Sequence, residues 1–209
     1  MIRSGNLLAV AALLVALAAG PDALAGLPTD QLKSSIDDVI KTLDDPALKG
    51  DGKTTARRQK VRTVANQIFD WSETAKRALA RHWSERAEAE RLEFVTLFGE
   101  LLERSYVSQI EKYGGERIVY VGEQIDGDQA VVKTKILTKQ GTEVPVDYRM
   151  LRRGDRWMVY DVVIEGVSMV SNYRTQFNKI IQTSSYSELV RKMKLKQDEF
   201  RTEDKQKKL

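Results

Sequence analysis

The sequence predicts an α+β fold, a four-stranded antiparallel sheet packed with several helices. Two changes of periodicity carry that expectation. From Leu32 to Ile110 apolar residues recur at three- and four-residue spacing. Between Arg117 and Ile164 they alternate in β-rich runs broken by glycine turns, and after Val167 the helical spacing returns.

The elements follow in chain order. Arg3, an unbroken apolar run of 13 residues from Leu7 to Ala19, and the small-residue site Ala23-Leu24-Ala25 are the parts of a secretory signal peptide. Residues 1–25 are therefore expected to be removed, leaving a mature chain that begins at Gly26 and is soluble in the bacterial periplasm. A permanent membrane span needs about 20 apolar residues, and Gly20-Pro21-Asp22 cuts this run short. No cysteine lies near the cleavage site to carry a lipid anchor.

Leu32, Ile36, Val39, Ile40 and Leu43 mark a first helix, stopped at Asp44-Asp45-Pro46 because a proline disfavours helical backbone in the residue before it. A polar loop spans Lys49 to Lys53. Val61, Val64, Ala65 and Ile68 mark a second helix, and Phe69-Asp70 forms the junction to a third that runs to about Trp83. The longest helical pattern, Glu85 to Tyr113, carries Leu92, Val95, Phe98, Leu102, Tyr106 and Ile110. Phe94, Leu97 and Leu101 widen its apolar face, so it is expected to be covered on two sides. Gly114-Gly115 stops it.

Arg117 to Val163 is rich in Val, Ile, Tyr and Thr, with turn signals at Asp126-Gly127, Gln140-Gly141 and Gly154-Asp155. Three turns between four runs imply an antiparallel meander. Ala130, Val132, Thr134 and Ile136 share one face of the second run, and Val144, Val146, Tyr148 and Met150 one face of the third. Lys133, Lys135, Asp147 and Arg149 take the opposite faces. The fourth run, Trp157 to Ile164, is apolar on both sides, as in a doubly covered strand. Helix then returns at Val167, with Val170, Tyr173, Phe177, Ile180 and Ile181 as its apolar positions. Ser185-Tyr186-Ser187-Glu188 has the form of a capping box for a last helix through Met193. With neither an internal repeat nor a dividing linker, residues 26–195 read as one domain and 196–209 as a charged, frayed tail.

Composition narrows the chemistry. The 209 residues contain no cysteine and one histidine, His82, which excludes a disulfide framework, a thiolate metal site and a cysteine nucleophile. Neither cofactor nor metal is expected. Gly52-Lys53-Thr54 resembles the end of a phosphate-binding loop, but the pattern requires glycine at position 47, which is Ala47, and a preceding strand. Asp70, Glu73, His82 and Glu85 lie close enough in sequence for acid–base chemistry. The simpler reading makes Asp70 a helix cap and His82 a helical boundary residue. Arg57, Arg58, Lys60 and Arg62 cluster in a chain of net charge +4. They read as a solvated helix face, with an anionic surface or an acidic partner as the alternative and no nucleic acid expected. The long helix, the sheet and the helix after it hold enough apolar residues either for a filled core or for a cavity that takes a lipid-like ligand.

The segment Trp157-Met158-Val159-Tyr160-Asp161-Val162-Val163-Ile164-Glu165-Gly166-Val167-Ser168 resembles a block of the periplasmic phospholipid-binding MlaC family, also called the toluene-tolerance auxiliary family. In that block Trp-x-Val-Tyr-Asp is followed by three apolar residues and then Glu-Gly-Val-Ser. Supporting pieces occur in order: Phe69-Asp70 before Ala78-Leu79-Ala80-Arg81-His82-Trp83, and Phe94-Val95-Thr96-Leu97-Phe98 before Leu101-Leu102 and Ser105-Tyr106. Phe177 and Ile180-Ile181 then precede the Leu189 helix. The likeness extends from about Leu32 to Met193, with one departure near Ala80, where family members more often carry glycine.

The resemblance implies an NTF2-like fold that holds phospholipid acyl chains between sheet and helices. It also implies a monomeric periplasmic shuttle, working between an outer-membrane lipoprotein complex and an inner-membrane MCE-domain ABC transporter to maintain outer-membrane lipid asymmetry. Phospholipid is then carried ligand, and no residue is catalytic. Alternation places Val132, Val146, Tyr148, Val162 and Ile164 in the cavity wall. Helical spacing adds Val167 and Val170, with Leu102 and Tyr106 opposite. Two other readings stay open: an enzyme on the same fold using Asp161 with Tyr148 or Tyr160 as acid and base, and an envelope adaptor with a filled core.

Overall fold

The computed structural model describes residues 27–206, so the expected signal peptide and its cleavage site lie outside the described residues. Four helices come first: α1 (Pro28–Asp44), α2 (Thr54–Ile68), α3 (Trp71–Leu79) and α4 (Glu88–Ile110). The strands β1 (Arg117–Asp126), β2 (Gln129–Leu137), β3 (Glu143–Arg153), β4 (Arg156–Ile164) and β5 (Val167–Ser168) form an antiparallel meander, paired in sequence order. Helices α5 (Met169–Thr183) and α6 (Tyr186–Gln206) close the chain. No helix among the described residues is long and apolar enough to cross a membrane.

The helix ends show why these segments stop where they do. Leu27 offers α1 no capping side chain, and the Glu123 carboxylate of β1 takes that place. It accepts from the Thr29 amide at 3.0 Å and from the Thr29 hydroxyl at 2.6 Å. Trp157 N–H donates to Gln31 Oε1 at 2.8 Å, so the first turn of α1 is fixed to both β1 and β4. Asp70 caps α3, as expected, accepting from Glu73 N–H at 2.9 Å, and its own amide donates to the Val159 carbonyl at 2.8 Å. Ser185 accepts from Glu188 N–H at 3.1 Å at the start of α6.

Three boundaries differ from the sequence reading. The third helix is interrupted: α3 ends at Leu79 and a 3-10 turn, Ala80–Trp83, completes the stretch, because Ala80 takes φ 51° and ψ −123°. The sheet has five strands, not four. Glu165 and Gly166 both adopt positive φ (49° and 81°), the twist a two-residue antiparallel turn demands. The chain therefore folds back as β5, with Val167 opposite Ile164, and helix resumes only at Met169. Lastly, α6 does not end near Met193 but continues to Gln206. Its later turns carry spaced ion pairs, Lys196 with Glu199 at 2.8 Å and Arg201 with Asp198 at 3.5 Å, which support helix where apolar periodicity fades.

Strand β4 is apolar on both sides for a structural reason. Met150 pairs with Val159 and Arg149 with Asp161, so Tyr160 is an extra residue, a β-bulge. The bulge shifts the alternation by one position, placing Val159 and Val162 on the same face although they are three positions apart. Tyr160 packs towards α3: Thr74 donates to its carbonyl at 3.0 Å and the Arg77 guanidinium lies 4.0 Å from its ring centroid.

Buried side chains form two clusters. The first joins α3, α4, α5 and α6 around aromatic rings. Phe98 meets Tyr173 and Phe177 edge-on, both at 5.1 Å between centroids, and Phe94 meets Phe177 at 5.5 Å. The second joins Leu32 of α1 and Ile68 of α2 to Ala130, Val132, Met150, Trp157 and Val159 on one face of the sheet. Val162 packs against both.

Candidate functional site

The five strand residues expected to form an apolar wall do share one face. Val132, Tyr148 and Val162 lie in a single row across β2, β3 and β4, and Thr134, Val146 and Ile164 form the next. Cross-strand neighbours in such rows stand about 5 Å apart at Cβ. Lys133 and Asp147 pair on the opposite face, as their alternation required. Helix α1 covers the apolar side through Leu32 and Ile36.

The helical members divide. Leu102 and Val170 are buried in the first cluster and Tyr106 packs against it, so they approach the wall through Val162, which touches both clusters. Val132 and Val146 are buried, while Tyr148, Val162 and Ile164 keep part of their surface accessible. Val167, directly opposite Ile164, continues the Thr134, Val146 and Ile164 row on this face, at the open edge of the sheet. It sits on β5 beside the tight turn, not on a helix, and is 63% exposed.

Tyr148 has an informative environment. Burial pushes its phenol up to about 12, yet the side chain is only half-buried. Tyr120, which the sequence reading passed over, lies on the same face opposite Thr134 and packs against the second cluster. The alternation of Ile118 and Tyr120 in β1 was the signal for it. Its hydroxyl is buried and, among the described residues, has no hydrogen-bond partner.

Asp161 and Tyr148 are not arranged as an acid–base pair. Asp161 stands opposite Arg149, on the other side of β4 from Val162 and Tyr148. It is 2% exposed and accepts from Ser168 Oγ at 2.6 Å, Val170 N–H at 3.0 Å and Arg149 Nη1 at 3.1 Å. Its oxygens hold the start of α5. His82 likewise has a structural setting, its Nε2 lying 3.0 Å from Asn178 Oδ1.

Of the basic cluster of α2 only Lys60 stays a solvated side chain, while the three arginines turn to acidic partners on the fold. Arg58 and Arg57 converge on Glu111, the residue that follows α4, at 2.8 and 3.2 Å, and Arg62 reaches Glu103 of α4 at 2.6 Å. Glu111 is 12% exposed in its side chain. Burial by itself raises its pKa, but the two guanidiniums outweigh that and hold the carboxyl below the usual range. These contacts fasten α2 to α4.

Comparison with known proteins adds the following. The family model described as MlaC protein matches residues 33–195. The chain is 26% identical over 122 residues to the intermembrane phospholipid transport system binding protein MlaC of Haemophilus influenzae, covering 56% of this chain and 57% of that one. The match thus spans little more than half of that relative. It is 24% identical over 174 residues to the toluene tolerance protein ttg2D of Pseudomonas putida, covering 81% of each. Among solved structures, it is similar to a phospholipid-binding protein from Ralstonia solanacearum in complex with a phospholipid. That likeness has a TM-score of 0.70 and 26% identity, covering 81% of this chain and 96% of the other.

Proposed function

The chain belongs to the MlaC family, and from that premise we propose that it is a phospholipid carrier of the bacterial periplasm. It binds diacyl lipid between the sheet face and the helices. It shuttles that lipid between an outer-membrane lipoprotein complex and an inner-membrane MCE-domain ABC transporter, so maintaining outer-membrane lipid asymmetry. The protein works without catalysis and without a cofactor.

One observation carries this reading: the row Val132, Tyr148 and Val162, apolar in its flanks, faces α1 and ends at the residue shared by the two clusters. Helices and sheet meet there along a seam instead of through one continuous core. Acyl chains crossing water unshielded cost about 0.8 kcal/mol for each methylene. A carrier therefore needs apolar wall above all, and gains nothing from a nucleophile. The phospholipid bound to the Ralstonia solanacearum relative supports the same use of this fold.

The test is direct. The mature protein is isolated from the periplasm and analysed by native mass spectrometry and lipid extraction, then mixed with donor and acceptor vesicles. Bound diacyl phospholipid and protein-dependent transfer are expected. A lipid-free protein that leaves transfer at the background rate rejects the carrier reading and favours an envelope adaptor.

A further inference from the structure

We propose that Tyr120 and Tyr148 form a polar subsite within the apolar wall, where their hydroxyls donate hydrogen bonds to the ester carbonyls at the head of the acyl chains. The proposal rests on the carrier reading and specifies which part of the lipid the wall recognises.

The two tyrosines project from one face of the sheet. Tyr120 of β1 is opposite Thr134 and Tyr148 of β3 is opposite Val132, so β2 alone separates them. They stand in adjacent rows, so two strand spacings and a two-residue offset along the strands put them about 12 Å apart at the backbone, a gap that two phenol side chains can narrow from either side. Apart from the Asp37 carboxylate of α1, which lies close enough to act on Tyr120, their surroundings are mainly apolar. Val132 and Met150 are members of the cluster against which both rings, Ile36 of α1 and Val162 pack. Thr134, between them, has already committed its hydroxyl to the Val146 carbonyl at 2.7 Å. The Tyr120 hydroxyl is buried without a partner among the described residues. Burial raises the phenols of both, and the two are close enough to influence one another.

A buried hydroxyl with no partner destabilises a protein, and phenylalanine fills the same volume without that cost. Two tyrosines on one apolar wall are therefore better matched to a protein that holds a ligand than to an empty one. The ligand must be apolar along most of its length and carry acceptors at one depth. An acyl ester has that chemistry: its carbonyl accepts and does not donate, and a phenol donates. An ether-linked lipid of equal chain length lacks the carbonyl and provides the control.

The experiment uses the mature protein, the single variants Tyr120→Phe and Tyr148→Phe, and the double variant. Each is stripped of lipid and offered vesicles containing equal amounts of diacyl and dialkyl-ether phosphatidylcholine of one chain length. Bound species are counted by mass spectrometry. The parent protein is expected to favour the diacyl lipid, by about fivefold for each hydrogen bond. Each single variant should lose part of this preference, and the double variant should take both lipids alike. Equal uptake by the parent, or a preference kept by the double variant, overturns the subsite. Failure of the parent to take up either lipid overturns the carrier reading itself. A second readout is the urea midpoint of the lipid-free proteins. Tyr120→Phe is expected to match or exceed the parent, and a lower midpoint would show that the hydroxyl serves the fold instead.

Discussion

The Asp161 carboxylate accepts a hydrogen bond from the Val170 amide at 3.0 Å, joining the middle of β4 to the first turn of α5. Ser168, which caps α5 through Ser171 N–H at 3.0 Å, donates to the same carboxylate at 2.6 Å. The hairpin turn, the short fifth strand and the entry to α5 are thus organised around one buried anion. Asp161→Ala leaves these donors facing an apolar gap, at about 1–3 kcal/mol for each unsatisfied group. Urea unfolding should show a loss of about 3 kcal/mol or more. A smaller loss is expected for Asp161→Asn, which keeps an acceptor for Val170. An Asp161→Ala variant as stable as the parent would contradict this role.

The Glu111 junction predicts a pH dependence. Its carboxyl is held below the ordinary glutamate range despite burial, because Arg58 and Arg57 favour the charged form. A group depressed in the folded state contributes stability above its unfolded pKa, about 4.3, and that contribution is lost as pH falls through the folded value. Glu111→Gln should therefore lower the urea midpoint at pH 7. The gap from the parent should narrow only below the usual carboxylate range. Parallel curves at all pH values would show that the charge of Glu111 is not what fastens α2 to α4.

The same contacts bear on head-group selectivity. The compact group of guanidiniums in α2 is engaged by Glu111 and Glu103, which removes it as a receptor for lipid phosphate. On the proposed carrier reading, recognition then rests on the acyl region. Transfer between vesicles should proceed at similar rates for phosphatidylethanolamine and phosphatidylglycerol. A strict requirement for one head group would contradict this.

Ala80 identifies a position that glycine should improve. At φ 51° and ψ −123° it occupies backbone space that costs a side-chain-bearing residue roughly 1–3 kcal/mol. Glycine removes most of that strain and returns part of the gain through its freer unfolded chain. Ala80→Gly should stabilise the protein by about 1 kcal/mol in thermal or urea unfolding. Destabilisation would mean that the methyl group makes a compensating contact.

That position shows a limit of what the sequence could reveal. Alanine gives no local signal of strain in a sequence, and only the backbone shows that Ala80 adopts a conformation that suits glycine. Strand faces were legible because alternation is a local property: Val132, Val146, Tyr148 and Val162 fell on one side as expected. The bulge at Tyr160 was not legible as such, since an extra residue in an apolar strand leaves only the impression of two apolar faces. Val167 was assigned to a helix because valine spacing cannot distinguish a two-residue strand from a first helical turn. Glu165 and Gly166 decide that through their backbone. The partners of Arg57 and Arg58 lie more than 50 positions away, at Glu111, beyond any local pattern. Tyr120 was missed because a tyrosine in an edge strand is unremarkable until its hydroxyl proves to be buried.

Val162 gives the sharpest test of whether the seam holds ligand or only packing. It belongs to neither cluster's sealed interior, yet it packs against both and keeps part of its surface accessible. Val159 lies on the same face, three residues earlier in the chain and across the bulge, and is fully buried. The two valines differ in burial more than in chemistry, so the same substitution separates the possibilities. Val159→Asp puts an unpaired carboxylate into packed core, which costs several kcal/mol and should unfold the protein. Val162→Asp puts the carboxylate on the partly accessible seam between the two clusters, where water can meet the charge at lower cost. The expected Val162→Asp protein is soluble, has a far-ultraviolet circular dichroism spectrum close to the parent, and carries little co-purifying phospholipid. Unfolding of both variants would show Val162 to be core. A folded Val162→Asp protein with a full complement of lipid would remove the residue from the binding wall.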